Sequence, residues 1–144
     1  MTKEVMVTIS GLQVASEDQD TVELVHVGEY YERNGTHYLL FEELLEGIPT
    51  PIKNVIKIKE RYMEVQKKGA VDTKLIFEEG KSQTSTYSVP YGSFLLSTYT
   101  TGVQLTKTEE QVEAVASYRL SINGEHCADC DIRVKAEPRE SFRF

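Results

Sequence analysis

Apolar and polar residues alternate one by one over most of this chain, the period of a strand with one face buried. Val5, Val7 and Ile9 fall on one side and Met6, Thr8 and Ser10 on the other. TVELVHVGEYYE, from Thr21 to Glu32, is rich in β-branched and aromatic residues and runs into Arg33-Asn34-Gly35. Asn and Gly tolerate the positive φ of a tight hairpin, so THYLLFEEL is read as the returning strand. Gly47, Pro49 and Pro51 then break the pattern and predict a loop over 46–52. NVIKIKE and YMEVQKK follow, separated only by Arg61. Gly69 marks a turn before VDTKLIFEE, Gly80 introduces SQTSTYSV, and PYG introduces FLLSTYTTGVQL. The last pair is the clearest. Val112, Ala114, Ala116, Tyr118, Leu120 and Ile122 alternate with Glu113, Val115, Ser117, Arg119 and Ser121. Asn123-Gly124 makes the turn, and Ile132, Val134 and Ala136 continue the alternation. About ten short strands with regular turns predict an all-β protein, an antiparallel sandwich or barrel.

Two segments compete with that reading. TEEQVEAVASYRL has helix-friendly residues and a capping-box pattern from Thr108 to Gln111. LLFEELLEG has the leucines and glutamates of an amphipathic helix ending at a glycine. Six matched alternations assign the first to a strand, and the preceding hairpin turn assigns at least the front of the second to one. No repeat, low-complexity tract or linker interrupts the pattern, so residues 1–144 are expected to form a single domain.

At 144 residues the chain is long enough to bury a core without disulfides. Its formal charge of −7 argues against a duplex-binding or anionic-membrane surface, which needs clustered Lys and Arg. Lys53, Lys57, Lys59, Lys67 and Lys68 are interleaved with acids along strands and read as a solvated face. The opening MTKEVMVTISG lacks the apolar core of a leader, and no apolar run approaches the ~20 residues of a membrane helix. Two cysteines in such a chain imply free thiols and a cytoplasmic location.

From about Asn54 onward the order of features is VIKIKE, a short strand ending in Lys68-Gly69, KLIFEEG, TYSVPYGSFLLSTYTTGVQL and ASYRLSINGE. It resembles the YwiB-like family of small bacterial proteins of unassigned function, and the match runs through most of the chain. Its more specific parts are Phe77 with Gly80, Tyr87 with Pro90-Tyr91-Gly92, Thr101, and Tyr118. The chain departs at Lys68, where the family would favour Arg, and the cysteine pair looks peculiar to this sequence. The resemblance implies a single antiparallel calycin-like barrel of about eight to ten strands, related in shape to lipocalins and fatty-acid-binding proteins. It carries no catalytic residue across.

Candidate chemistry is sparse. In HCADCD the cysteines have C-x-x-C spacing, but on a regular strand residues three apart face opposite ways. Cys130, in phase with Ile132 and Val134, should face the core, and Cys127 should face water. With Cα atoms roughly 10 Å apart at ~3.3 Å per residue, neither a disulfide nor one shared metal fits, unless a bulge at Ala128-Asp129 intervenes. A redox motif would need a helix N-terminus, which an Asn-Gly hairpin does not provide. No nucleophile elbow, P-loop, zinc-protease helix or dinucleotide fingerprint is present, and no metal or cofactor is implied. His37 and Glu43 share a face but lie some 20 Å apart at ~3.3 Å per residue, too far for an acid–base pair.

A closed barrel can hold its own side chains or one small ligand. The leading expectation is a non-enzymatic barrel binding a small apolar or amphipathic molecule in its interior. The alternative of equal weight is a filled barrel acting as a partner-binding or homodimerising module. An enzyme with a polar barrel site is the lesser reading. The ligand-site candidates are inward-facing residues with polar tips: Tyr87, Tyr118, Thr98 and His26.

Overall fold

The computed structural model describes residues 3–11, 23–44 and 46–139. Met1, Thr2, Thr21, Val22 and Leu45, which belong to segments discussed above, lie outside the described residues. Ten strands follow one another: β1 (Lys3–Ser10), β2 (Glu23–Arg33), β3 (Thr36–Glu43), β4 (Ile52–Lys59), β5 (Tyr62–Lys68), β6 (Thr73–Glu78), β7 (Ser82–Val89), β8 (Gly92–Lys107), β9 (Val112–Ile122) and β10 (Glu125–Pro138). They form one sheet in the order β6-β5-β4-β3-β2-β1-β10-β9-β8-β7, with every ladder antiparallel. The sheet is a meander with one exception. β1 pairs with both β2 and β10, so the first and last strands meet in mid-sheet. The turns are those the composition demands. Asn34 and Gly35 have φ of 52° and 80°, and Asn123 and Gly124 have 51° and 86°, as a two-residue hairpin with the native twist requires.

The sheet curls into a nearly closed barrel whose seam runs between β6 and β7. At one end Asp72 and Ser88 exchange two backbone hydrogen bonds of 2.9 Å. At the other, Gly80 N–H donates to the Thr100 carbonyl (2.8 Å) and Thr100 N–H to that of Lys81 (3.1 Å). Between them hydroxyls substitute for a ladder. Ser85 donates to the Lys74 carbonyl (2.6 Å), and Thr98, from β8, to that of Ile76 (3.2 Å).

Alternation places one residue of every two inside. Leu39, Ile56, Ile58, Met63, Val65, Phe77, Leu96, Ile132 and Val134 fill the middle at no more than 1% exposure. Phe77 meets Tyr118 with ring centroids 4.6 Å apart, and Ala114 and Ala116 keep that side of the interior small enough to accept both rings. Burial of this kind stabilises by about 1.5–3 kcal/mol per large side chain. Gly28 is required by a close approach, since a Cβ there would lie 2.6 Å from the Leu40 carbonyl oxygen.

Both ambiguous segments are strands. LLFEELLEG is extended through Glu43 before its turn, and Val112–Ile122 is β9. The Thr108 hydroxyl does accept from Glu110 N–H (3.3 Å) and Gln111 N–H (3.1 Å), as a cap would. The chain then enters a strand, because the period-two set from Val112 to Leu120 has to be buried. Lys67 departs from the expectation for its neighbours. It does not join the solvated lysines but faces inward in phase with Met63 and Val65, at 9% exposure. Among the described residues no helix is long and apolar enough to cross a membrane.

Candidate functional site

The filled middle leaves polar chemistry to the two ends. At the end with the β2–β3 turn, Tyr30 and Glu32 occupy successive inward positions of β2, and His37 on β3 stands directly opposite Glu32. Tyr30 Oη lies 2.7 Å from His37 Nδ1, and His37 Nε2 lies 3.8 Å from Glu32 Oε2. The neutral tautomer with hydrogen on Nε2 fits both, accepting from the Tyr30 hydroxyl and presenting N–H to Glu32. Lys107, at the end of β8, donates to Glu32 Oε1 at 2.9 Å, joining strands on opposite sides of the opening. The turn from Thr108 to Gln111 continues this strap, held by its own hydrogen bonds. Beneath lies a cavity of about 250 Å³ whose apolar floor is Val5, Val112 and Ala136 and whose polar rim includes Tyr30, Glu32, Lys107, Thr108 and Gln111.

Burial pushes the His37 pKa below its ordinary value, with Glu32 opposing and Lys107 adding to the shift, so the ring is neutral at pH 7. Burial, then the Glu32 charge, raises that of Tyr30, which keeps its proton. The hydrogen bond from Lys107 holds the Glu32 carboxyl below the usual carboxylate range, and the same bond raises Lys107.

The opposite end carries a buried charged network. Lys67 Nζ donates to Glu43 Oε1 and to Asn54 Oδ1 (2.8 Å), while Asn54 Nδ2 donates to Glu43 Oε1 (2.9 Å) and the Ile52 carbonyl (3.3 Å). Burial pushes Glu43 up, but Lys67 and Asn54 together outweigh it and hold the carboxyl below its ordinary value. His26 stacks on Phe41 at 4.6 Å between centroids, and burial lowers its pKa against the pull of Glu43.

Of the four residues expected from the sequence, two adjoin this network. His26 faces Glu43 and Lys67, and half-buried Tyr87 lies close enough to Glu43 for the carboxylate to reinforce the upward shift that burial imposes on the phenol. The other two lie elsewhere. The Thr98 hydroxyl is engaged in the barrel seam. Tyr118 is buried against Phe77, with its edge at a shallow recess of about 250 Å³ beside Cys130 between bulges in β8 and β10. Tyr91 is 81% exposed, with its ring set edge-on to Phe94 at 6.4 Å between centroids. Cys130 is partly buried against the core and Cys127 is exposed, as the strand phase predicted. The bulge lies between His126 and Ala128, one position earlier than considered, and no group of three metal-ligating side chains occurs among the described residues. Sequence reasoning missed Glu32, Glu43, Asn54 and Lys67. Their signal was a charged or amide side chain in phase with buried neighbours near a strand end.

Comparison with known proteins agrees with this architecture. A family model described as a domain of unknown function (DUF1934) matches residues 7–134. The uncharacterized β-barrel protein YwiB of Bacillus subtilis (strain 168) is 27% identical over 127 residues, which is 87% of this chain and 88% of YwiB. A crystal structure of ywiB protein from Bacillus subtilis matches with a TM-score of 0.77 at 21% identity, covering 95% of this chain and 92% of that one. At that identity the structural likeness establishes the fold alone.

Proposed function

The chain belongs to the DUF1934 family, and from that premise we propose that it is a cytoplasmic, calycin-like binding barrel that takes a small amphipathic molecule at the mouth strapped by Lys107 and Glu32. One observation carries the reading. The cavity of about 250 Å³ combines an apolar floor of Val5, Val112 and Ala136 with convergent polar groups on its rim. Apolar pockets with a few oriented polar groups are the usual form of small-molecule sites, and this volume, just below their usual ~300–1,000 Å³, limits the ligand to a small one. The ligand's apolar part lies on the floor. Its polar part meets the Tyr30–His37 pair and the Lys107–Glu32 latch, which opens to admit it. Because side chains occupy the middle of the barrel, binding moves from the interior to this end.

Native mass spectrometry of the full chain purified from its host tests this. A stoichiometric small-molecule adduct that disappears in Ala136→Leu, which fills the floor, and weakens in Tyr30→Phe is the expected result. A clean apo mass for the wild type overturns it.

A second reading rests on the outer face of β2, where Val25 and Val27 are 38% and 46% exposed. Apolar residues clustered on one strand face suit a partner or a second copy of the chain. A stable homodimer in the same spectra, dissociated by Val25→Lys with Val27→Lys, would favour that role.

A further inference from the structure

We propose that the opposite end of the barrel is a second binding site, specific for an uncharged polar ligand such as an alcohol, an amide or a neutral heterocycle. The register builds it. Phe41 pairs with Asn54, Asn54 with Lys67, and Lys67 with Thr73, so four inward side chains stand in one row across β3, β4, β5 and β6. Glu43 lies two residues beyond Phe41 on the same face, and His26 is stacked on the Phe41 ring.

Charge selects the ligand. The Lys67 ammonium and the Glu43 carboxylate are bonded to each other and both to Asn54, so the cluster is neutral as it stands. An anion competing for Lys67 would strand Glu43, and a cation competing for Glu43 would strand Lys67, in a region where an unpaired charge is strongly disfavoured. Hydrogen bonding remains on offer. Thr73 is 4% exposed, yet its hydroxyl has no partner among the described residues, and the buried His26 Nε2 has none either. Buried polar atoms in folded proteins are normally paired, and of the four side-chain atoms left unpartnered among the described residues these two flank the network, where they offer a ligand hydrogen-bonding positions. The imidazole is neutral and able to donate or accept at Nε2, and the Thr73 hydroxyl does both. Phe41 and His26 add a flat apolar wall.

Benzamide, benzoate and benzylammonium are near-isosteric probes differing in charge, and each is titrated into the full-length protein at pH 7.5 while the imidazole resonances are followed by NMR. Benzamide is expected to shift the His26 resonances saturably, at least tenfold more tightly than either ion, and to leave His37 and His126 unmoved. Thr73→Val should weaken benzamide at least fivefold. Should that variant not fold, His26→Leu, which removes the Nε2 group, read through the Tyr87 ring resonances provides the same comparison. Absence of a saturable benzamide shift, equal binding of a charged probe, or unchanged affinity in the variant read overturns the proposal.

Discussion

His26 and His37 sit on inward faces at opposite ends of the barrel, and burial holds both below the ordinary imidazole value of 6.5. The folded state therefore resists protonation while the unfolded chain accepts protons as pH falls through 6.5. The stability tied to the neutral rings is fully present above that pH and is lost below it, until the depressed folded values are passed. Glu43 adds a second stage. Held below its ordinary 4.5, it contributes stability above that value that is lost as pH falls through the folded one. Urea midpoints should be highest near pH 7.5 and decline from about pH 6.5 downward. The double variant His26→Gln, His37→Gln should decline less between pH 7 and 5, and an unchanged slope would refute the assignment. At this scale the sequence was partly legible. The phase of Cys130 with Ile132 and Val134 placed that thiol against the core, since strand parity is a local property. Lys67 was misread as solvated because lysine is almost never buried without a partner, and its partners, Glu43 and Asn54, come from other strands.

Strands and turns were the most legible elements, because parity and Asn-Gly or Gly positions are set within a few residues. The seam was not. Asp72 pairs with Ser88 through both its backbone groups, so Lys74 and Ile76 direct theirs toward β7 as well, where no ladder continues. Their carbonyls receive the Ser85 and Thr98 hydroxyls. Amide hydrogen exchange should be faster at Lys74 and Ile76 than at Leu75, which pairs with Val65 in the β5–β6 ladder. Thr98→Val combined with Ser85→Ala should destabilise by about 1 kcal/mol per bond removed and widen that difference. Comparable protection at Leu75 and Ile76 would show that the seam is a regular ladder. Thr98 was selected from the sequence as an inward polar tip. The inward placement was right, but a threonine hydroxyl has no stated partner until the strand across from it is known.

Closure of the whole molecule depends on β1 meeting β10, with Val5 opposite Pro138 and Ile9 opposite Val134. Pairing the two ends of the chain makes the contacts strongly non-local, so refolding should take milliseconds to seconds. Truncation after Asn123 removes Ile132, Val134 and Ala136 from the core and leaves β1 and β9 each with an unpaired edge. That chain should show no cooperative urea transition, and a two-state transition with an undiminished slope would contradict the dependence on closure. The amino-acid sequence by itself determined the strands, their turns and, where the alternation is unbroken as in β9, which face is buried, because a period of two and a few turn residues act over short distances. Only the tertiary structure decided which strands are neighbours. That choice placed Lys107 across the mouth from Glu32 and set Lys67 beside Asn54, because side chains far apart along the chain acquire partners only when a twisted sheet closes on itself.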